Sequence, residues 1–341
     1  RAGYWLEEKP THFCRFPVSS AEMTTTQHSR RELLAALLAI GAGCATDSGN
    51  GSERSRPYSR TITGESNATA KQSTPVTTAP EPAEIRTDVV FRETAERTLK
   101  LDLYLPSSDD PSPFVLFSHG GYWTSGGRIH RPMYDRLVNQ GIAVADVQYR
   151  LSRVAHYPAA VRDVVAAIKW VRANAGEYDI DADRAALMGV SAGAHLSALI
   201  ATAPDHENFQ PPEFHPDVSV SVDAVVAHSG PYDLTRETAK DDWAVKRFFG
   251  EDVPIERLKE GSPVTHVDSD DPPALLVHGT EDEIVPYRSA TVLAEAYREA
   301  GATVEVLTGD GAGHDMLIDD EYRDEMLPTQ EQFLADHLQT Q

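Results

Sequence analysis

Short apolar runs alternate with helix-like segments from residue 84 to the end of the chain, and this alternation constrains the fold more than any other feature. The inner runs are nearly continuous in apolar residues, as in parallel strands that helices cover on both faces. The pattern predicts an α/β domain with a mostly parallel eight-stranded sheet and helices on both faces. The predicted strands are Glu84–Arg92, Leu99–Leu105, Phe114–Ser118, Ala143–Tyr149, Ala185–Val190, Ala224–His228, Ala274–His278 and Thr303–Leu307. The clearest helix is predicted over 158–175, with one apolar face formed by Val161, Val164, Val165, Ile168 and Val171.

Charge and cysteine content narrow the possible partners. The 341 residues include 53 acidic and 31 basic side chains, for a net charge of −22. This excess argues against nucleic acids and anionic lipid surfaces as partners. It is typical either of a protein from a high-salt habitat or of an ordinary acidic enzyme. Both cysteines, Cys14 and Cys44, precede the α/β domain, and no Cys/His cluster has the spacing of a zinc site, so we expect no metal.

The segment HSRRELLAALLAIGAGC, residues 28–44, predicts an export signal. The arginine pair Arg30-Arg31 precedes an apolar core, Leu33–Gly43, that is too short to span a membrane. The pair resembles a twin-arginine signal, and Gly43-Cys44 resembles the end of a lipoprotein signal, in which Cys44 is lipidated. We therefore expect an exported protein, anchored by lipid on the outer face of the cytoplasmic membrane. The alternative is a short amphipathic helix at a disordered terminus.

Composition divides the chain into four parts. Met23 begins a conventional-looking signal, so residues 1–22 are interpreted as an upstream extension and 23–44 as the signal. Residues 45–83 are rich in Ser, Thr, Pro and Gly and poor in apolar residues, which predicts a disordered tether. Residues 84–341 form the α/β domain.

A serine lies between two glycines at the end of the fifth predicted strand, in the sequence Gly189-Val190-Ser191-Ala192-Gly193. A helix-like run follows at once, and strand, serine and helix in this order predict a nucleophile elbow. The sharp turn would lift the Ser191 hydroxyl above the sheet edge. The N–H of Ala192, at the start of the helix, could then bind a developing oxyanion.

A second glycine pair follows the third predicted strand, in the motif HGGYW at 119–123. The loop after this strand supplies further oxyanion donors in folds with a nucleophile elbow. We expect these donors among the N–H groups of Gly120, Gly121 and Tyr122, with His119 orienting the loop rather than reacting. The alternative is a tight turn without catalytic function.

An acid and a base follow two later strands. Three acids, Glu281, Asp282 and Glu283, come just after the seventh strand, where a carboxylate could orient an imidazole. His314 follows the eighth strand in a glycine-rich loop, and the chain order of serine, acid and histidine is that of an elbow-type hydrolase. His195 and His278 are interpreted as structural.

The motifs HGGYW, YRLS, GVSAGAH, HGTEDEIVP and GAGH together resemble the α/β-hydrolase fold. Within that fold they are similar to the esterase/lipase superfamily with an HGG-type oxyanion loop, in particular to feruloyl and acetyl xylan esterase-like enzymes. Kynurenine formamidases share the HGGYW form. The resemblance covers residues 85–340 and implies a triad of Ser191, His314 and Asp282, which singles out Asp282 among the three acids. It implies no cofactor and no metal.

These features favour a hydrolase of carboxylic esters, with a small molecule or a polysaccharide ester as substrate. The alternatives are an amide hydrolase, such as a formamidase or peptidase, and a binding protein on an inactive hydrolase scaffold. The segment Arg236–Gly261 is expected to form a small cap. Its Trp243, Phe248 and Phe249 would either line an acyl or aryl pocket or pack in the core.

Overall fold

The structure is a computed structural model. In the residues that it describes, nine strands form one sheet. The described residues are 59–63, 84–236, 242–314, 316–317 and 320–339, all within the structural unit Ser55–Gln341. The predicted upstream extension, signal and lipidation site Cys44 lie outside the described residues. The strands are β1 (Ser59–Thr63), β2 (Glu84–Glu93), β3 (Thr98–Leu105), β4 (Ser112–Ser118), β5 (Ala143–Val147), β6 (Ile180–Val190), β7 (Ala224–His228), β8 (Ala274–Gly279) and β9 (Val304–Gly309).

The strand order in the sheet is β1-β9-β8-β7-β6-β4-β5-β3-β2. Six adjacent strands are parallel to one another, in the order β5, β4, β6, β7, β8 and β9. At the edges of the sheet, β1 pairs antiparallel with β9, β3 with β5 and β2 with β3. All eight strands predicted from the apolar runs are present, with ends shifted by a few residues. The predicted mostly parallel α/β sheet is therefore confirmed.

The ninth strand, β1, is a difference from the sequence interpretation. Residues 59–63 lie in the segment expected to be a disordered tether, but they pair antiparallel with β9, from Ser59 opposite Thr308 to Thr63 opposite Val304. Its sequence, SRTIT, has three β-branched residues in five, and such residues favour an extended backbone. The pairing covers the free edge of β9, which would otherwise expose unpaired backbone groups.

Helices connect the parallel strands and lie on both faces of the sheet. In the described residues they are α1 (Pro132–Asn139), α2 (Ala159–Ala173), α3 (Ala192–Thr202), α4 (Trp243–Phe249), α5 (Ile255–Glu260), α6 (Arg288–Ala300) and α7 (Asp320–Leu338). None of these described helices is both long and apolar enough to cross a membrane. The predicted apolar face of α2 is confirmed, because all five of its valine and isoleucine side chains are buried.

Two apolar cores lie on opposite faces of the sheet, as the alternation of side chains along each strand requires. In β4, Phe114 and Leu116 belong to the core beneath α2, α3 and α6, whereas Val115 and Phe117 belong to the core beneath α1 and α7. The apolar runs of the inner strands are therefore continuous because both faces of each strand are buried.

The carboxyl ends of the parallel strands meet at one edge of the sheet. Strand β4 ends at Ser118, β6 at Val190, β8 at Gly279 and β9 at Gly309, with Gly279 directly opposite Gly309. The loops that carry the predicted functional residues all leave from this edge. The fold therefore gathers segments that are up to about 200 residues apart in sequence.

Candidate active site

Ser191 lies between β6 and α3, and its backbone has φ 54° and ψ −117°. Residues other than glycine rarely adopt positive φ, so the turn holds the serine in a strained conformation. Two hydrogen bonds fix this turn. The Ser191 N–H donates to the His228 carbonyl at 2.7 Å, and the Ser191 carbonyl accepts from the His195 N–H at 3.0 Å. This is the geometry expected of a nucleophile elbow.

The two glycines that flank Ser191 allow close contact between backbone segments. A Cβ atom on Gly189 would lie 2.7 Å from the N atom of Ala194. A Cβ atom on Gly193 would lie 2.6 Å from the carbonyl oxygen of His119, and closer still to that of Ser118. No larger residue fits at either position without displacing backbone. The glycines thus bring α3 onto the ends of β4 and β6.

The predicted oxyanion donors lie around the elbow. Ala192 is the first residue of α3, so its N–H has no partner in the preceding turn of helix. Gly120 packs on the elbow, since a Cβ there would lie 3.3 Å from the Ser191 Cβ. The Gly121 carbonyl accepts hydrogen bonds from the N–H groups of Thr124 and Ser125, both at 3.0 Å. The N–H of Tyr122 belongs to the same peptide and points the opposite way, out of that turn.

His119 anchors the oxyanion loop. Its Nδ1–H donates to the Gly120 carbonyl at 2.7 Å, and its ring stacks on Tyr149, whose hydroxyl donates to the His119 carbonyl at 2.8 Å. A Cβ atom on Gly126 would lie 2.9 Å from the His119 Cε1, so a glycine is needed where the loop folds over the ring. Burial lowers the pKa of His119 to about 4, which keeps the ring neutral. These contacts support the predicted orienting role.

Asp282 is the acid that the structure brings to His314. Its Oδ2 accepts from His314 Nδ1 at 2.7 Å, and its Oδ1 accepts from the N–H groups of Ile284 and Val285 at 2.9 and 2.8 Å. The Asp282 side chain is buried, whereas Glu281 and Glu283 are exposed. The geometry thus selects Asp282 as the partner of His314 among three acids that the residue pattern alone did not distinguish.

The Asp282 carboxyl group is held in its charged form. Burial favours the neutral acid, but hydrogen bonds from the His278 and His314 rings and from the Val285 N–H outweigh burial. They hold the pKa of the Asp282 carboxyl well below its usual range. A permanently charged carboxylate at this position can orient an imidazole and stabilise its cation.

Backbone hydrogen bonds join the loop after β8 to the loop after β9. The Thr280 N–H donates to the Gly309 carbonyl, and the Glu281 N–H donates to the Ala312 carbonyl, both at 2.9 Å. The Gly311 N–H donates to the Thr280 hydroxyl at 2.8 Å. These bonds hold the two chain segments that carry Asp282 and His314 at a fixed separation.

The proposed base, His314, and the proposed nucleophile, Ser191, are not hydrogen-bonded to each other in this structure. Among the described residues, no hydrogen bond joins the Ser191 hydroxyl to the His314 ring. Catalytic hydrogen bonds are often long in unliganded enzymes and shorten only when substrate binds. The acid–base pair is therefore formed, whereas the bond from base to serine is not.

His278 is a site residue that the sequence analysis treated as packing. It is buried in β8 immediately before the last residue of the strand, Gly279, and its Nε2 lies 3.1 Å from Asp282 Oδ2. The signal available in the sequence was its place four residues before the acid, at the end of a parallel strand. That signal is weak, because many buried histidines end strands without contacting an active site.

A cavity of about 420 Å³ opens beside Ser191. The segment predicted as a cap contributes α4 and α5, and α4 supplies part of the wall. Phe248 and Phe249 are buried core residues, whereas Trp243 is 56 % exposed and lies against Tyr122, with ring centroids 5.3 Å apart. The lining includes Tyr122, Trp123, Ser191, Ala192, Pro231, Asp233, Leu234, Arg236, Asp242, Ala244, Val245, Ile284, Val285, Pro286, Arg288 and Ser289.

The residues that the structure describes contain no group of three or more His, Cys, Asp or Glu side chains able to hold a metal ion.

Known proteins with similar sequences are esterases. Esterase LipC of Mycobacterium tuberculosis is 32 % identical over 215 residues, which cover 60 % of this chain and 53 % of LipC. Esterase LipQ of the same organism is 32 % identical over 199 residues, covering 56 % of this chain and 47 % of LipQ. The chain thus spans about half the length of these curated relatives.

Similar solved structures cover most of the described domain. A truncated carbohydrate esterase from gut microbiota has a TM-score of 0.67 at 26 % identity, covering 75 % of this chain and 97 % of the other. A propionate-bound thermophilic esterase of Thermogutta terrifontis has a TM-score of 0.65 at 28 % identity, covering 76 % of this chain and 96 % of the other. The fold is therefore that of the α/β-hydrolase esterases. The family model described as BD-FAE matches residues 101–297, which is more than half of the chain and spans both the elbow and the acid loop, so the chain belongs to the BD-FAE family.

Proposed function

We propose that the protein hydrolyses carboxylic esters through a triad of Ser191, His314 and Asp282 and a covalent acyl-enzyme. The observation that carries this proposal is the part-buried 2.7 Å hydrogen bond between Asp282 and His314. Both residues lie in loops at the same sheet edge as Ser191, whose φ is positive. The esterase relatives and the BD-FAE family support the same reaction class. A binding protein on an inactive scaffold would not require both the strained backbone of Ser191 and the hydrogen-bonded pair of Asp282 and His314.

Acylation begins with proton transfer from the serine. The Asp282 carboxylate only accepts hydrogen bonds, so His314 carries its proton on Nδ1 and leaves Nε2 free as the base. When Nε2 takes the hydroxyl proton, the Ser191 Oγ attacks the carbonyl carbon of the ester and the carbonyl oxygen becomes an oxyanion. Asp282 stabilises the imidazolium that forms.

The oxyanion binds to backbone N–H groups, and the intermediate then collapses. The donors in this proposal are Ala192 and the loop from Gly120 to Tyr122, each of which contributes about 10²- to 10³-fold to rate in enzymes of this type. His314 gives its proton to the leaving alcohol as the C–O bond breaks. A water molecule, deprotonated by His314, then attacks the acyl-enzyme and releases the acid and free Ser191.

The cavity supports short acyl or aryl esters as substrates. Leu234, Val245 and Val285 give it apolar walls, and its volume is that of a small-molecule pocket. The exposed ring of Trp243 lies against Tyr122, which lines the cavity, and could contact an aromatic ring or a sugar of the substrate. Acetyl or feruloyl groups on a polysaccharide fit this arrangement. Hydrolysis of amides, as in a kynurenine-type formamidase or a peptidase, is the alternative for the same triad.

We expect the purified protein to cleave p-nitrophenyl acetate and butyrate with higher kcat/KM than N-formylkynurenine or long-chain lipid esters. The reason is that the cavity is small and the protein is strongly acidic, which disfavours long acyl chains and anionic groups such as the carboxylate of N-formylkynurenine. The assay compares kcat/KM across the substrates, and Ser191→Ala is the control, with an expected loss of at least ~10⁴-fold in kcat. A tenfold or larger preference for N-formylkynurenine would favour the amide alternative.

Asp282 should matter far more than the acids on either side. We expect Asp282→Ala to lower kcat by about 10³- to 10⁴-fold, because the imidazole loses its orienting carboxylate. Glu281→Ala and Glu283→Ala are matched controls, since both side chains are exposed, and each should stay within about threefold of wild type. The acid is wrongly assigned if either control is the most impaired of the three.

Export and lipid anchoring are part of the proposal and rest on sequence alone. Residues 28–44 supply the signal, and cleavage before Cys44 would leave a lipidated cysteine, followed by the 45–83 segment. The enzyme would then act on esters outside the cytoplasmic membrane. The net charge of −22 also predicts that the melting temperature rises with salt concentration, because salt screens the repulsion between like charges.

We expect the mature chain in the native host to begin at Cys44 and to carry a lipid mass there. The measurement is intact-mass and N-terminal peptide mass spectrometry of the membrane fraction. Cys44→Ala should move the protein out of that fraction. An unprocessed chain in the cytosol that still contains Met23 would contradict both export and anchoring.

A further inference from the structure

We propose that His278 is a positioning residue that shares the Asp282 carboxylate with His314 and thereby limits how tightly the carboxylate holds the protonated base. The inference rests on the proposed triad and goes beyond it. Two histidines approach the same oxygen, Oδ2, at 2.7 Å from His314 Nδ1 and at 3.1 Å from His278 Nε2. The other oxygen, Oδ1, is occupied by backbone N–H groups.

The His278 ring is held firmly enough to act as a fixed donor. It is fully buried at the end of β8, and its Nε2 also hydrogen-bonds the Val285 carbonyl at 2.7 Å. Nε2 therefore donates to the Val285 carbonyl, and Asp282 Oδ2 lies 3.1 Å from the same nitrogen as a second, more distant acceptor. Because Val285 also donates its own N–H to Oδ1, the same short loop fixes the acid and its second imidazole.

The protonated nitrogen of His278 follows from its partners. Both atoms near Nε2 are acceptors, so Nε2 must carry a proton. The other nitrogen, Nδ1, is buried and has no hydrogen-bond partner among the described residues. A proton on Nδ1 would be a buried donor without an acceptor, which is costly. The N–H of the ring is therefore on Nε2, where it faces the Val285 carbonyl and the Asp282 carboxylate.

A second donor at Oδ2 makes the carboxylate a weaker partner for His314. A carboxylate that accepts more hydrogen bonds is a weaker base, because each donor stabilises its negative charge. Without His278, Asp282 would bind the His314 imidazolium more strongly, and His314 would retain its proton to higher pH. A protonated His314 cannot accept the Ser191 proton. The expected role of His278 is therefore to weaken the hold of the Asp282 carboxylate on the protonated His314 ring.

Other groups around the pair are fixed on neighbouring elements. Tyr287 packs edge-on against the His278 ring, with centroids 5.9 Å apart, and its hydroxyl is hydrogen-bonded to Thr308. His228, at the end of β7, is buried close enough to His278 for their charges to interact, and burial lowers the pKa of His228 to about 4. His228 is therefore neutral near pH 7. Of the neighbours of His278 named here, Asp282 is therefore the charged one.

The test compares His278→Phe, which keeps a ring but removes the donor, with His278→Gln, whose amide N–H can reach the position of Nε2. We expect His278→Phe to move the acid limb of the kcat/KM profile for p-nitrophenyl acetate up by about one pH unit. Activity on the acid side should fall about tenfold and recover at alkaline pH. His278→Gln should stay near wild type. His278→Met, also without a donor, replaces the phenylalanine variant if that variant does not fold.

His195→Phe is the matched control, because His195 is also fully buried and also bonds a backbone carbonyl through Nε2, that of Gly261 at 2.7 Å. It should lower the melting temperature without moving the acid limb. The titration midpoint of the His314 ring, measured by NMR on ¹³C-histidine-labelled protein in the Ser191→Ala background, gives a readout that needs no activity. His278→Phe should raise this midpoint as well.

Two results would overturn the inference. One is an equal loss of activity at every pH with an unchanged His314 midpoint, which would mean that His278 only packs. The other is a downward shift of the His314 midpoint, which would mean that losing His278 weakens the interaction between Asp282 and the protonated His314 ring instead of strengthening it. If wild-type protein has no esterase activity, the proposed function fails, and the NMR titration still decides the role of His278.

Discussion

The close approach of helix α3 to the ends of β4 and β6 is the constraint on which the rest of the site depends. It requires glycine at positions 189 and 193, because any Cβ there would collide with backbone. The approach forces Ser191 into positive φ and aims the start of α3 at the space above the sheet. The same contact brings the carbonyl groups of Ser118 and His119 against α3, so the oxyanion loop is positioned by the element that carries the nucleophile.

The parallel pairing of β8 and β9 is a second constraint, and it positions Asp282 and His314. These strands end side by side, and backbone hydrogen bonds then join their loops over the next few residues. A Cβ on Gly279 would lie 2.6 Å from the Gly313 carbonyl, so the two loops approach as closely as backbone allows. Asp282 and His314, 32 residues apart in sequence, are thereby held at hydrogen-bond distance. The charge on the Asp282 carboxylate is maintained by hydrogen bonds from the His278 and His314 rings and from the Val285 N–H, which outweigh the effect of burial.

Much of this arrangement could be predicted from sequence because it depends on local patterns. Apolar runs gave the eight strands, since a strand buried on both faces must be apolar throughout. The serine elbow was predictable because strand, glycines and helix are adjacent in the chain. The pattern around 281–283 could not select the acid, because selection depends on which side chain turns inward, and only the family resemblance favoured Asp282.

The parts that sequence did not predict depend on long-range contacts. Strand β1 forms by pairing with β9, about 240 residues away, in a segment whose composition suggests disorder. The aromatic residues of α4 divide between the core and the surface according to how the helix packs, so Phe248 is buried while Trp243 is exposed. His278 contacts Asp282 only because the loop after β8 folds back on the strand end.

The central claim is that the elbow turns Ser191 into a nucleophile served by His314 and Asp282. Paraoxon tests it most directly, because its phosphorus is attacked by an activated serine and the diethyl phosphoryl group then stays on the attacking oxygen. Peptide mapping by mass spectrometry should find one adduct, on the peptide that contains Ser191, with stoichiometric loss of esterase activity. Asp282→Ala should slow the labelling. Labelling of another residue with equal loss of activity, or full activity in protein labelled at Ser191, would contradict the account.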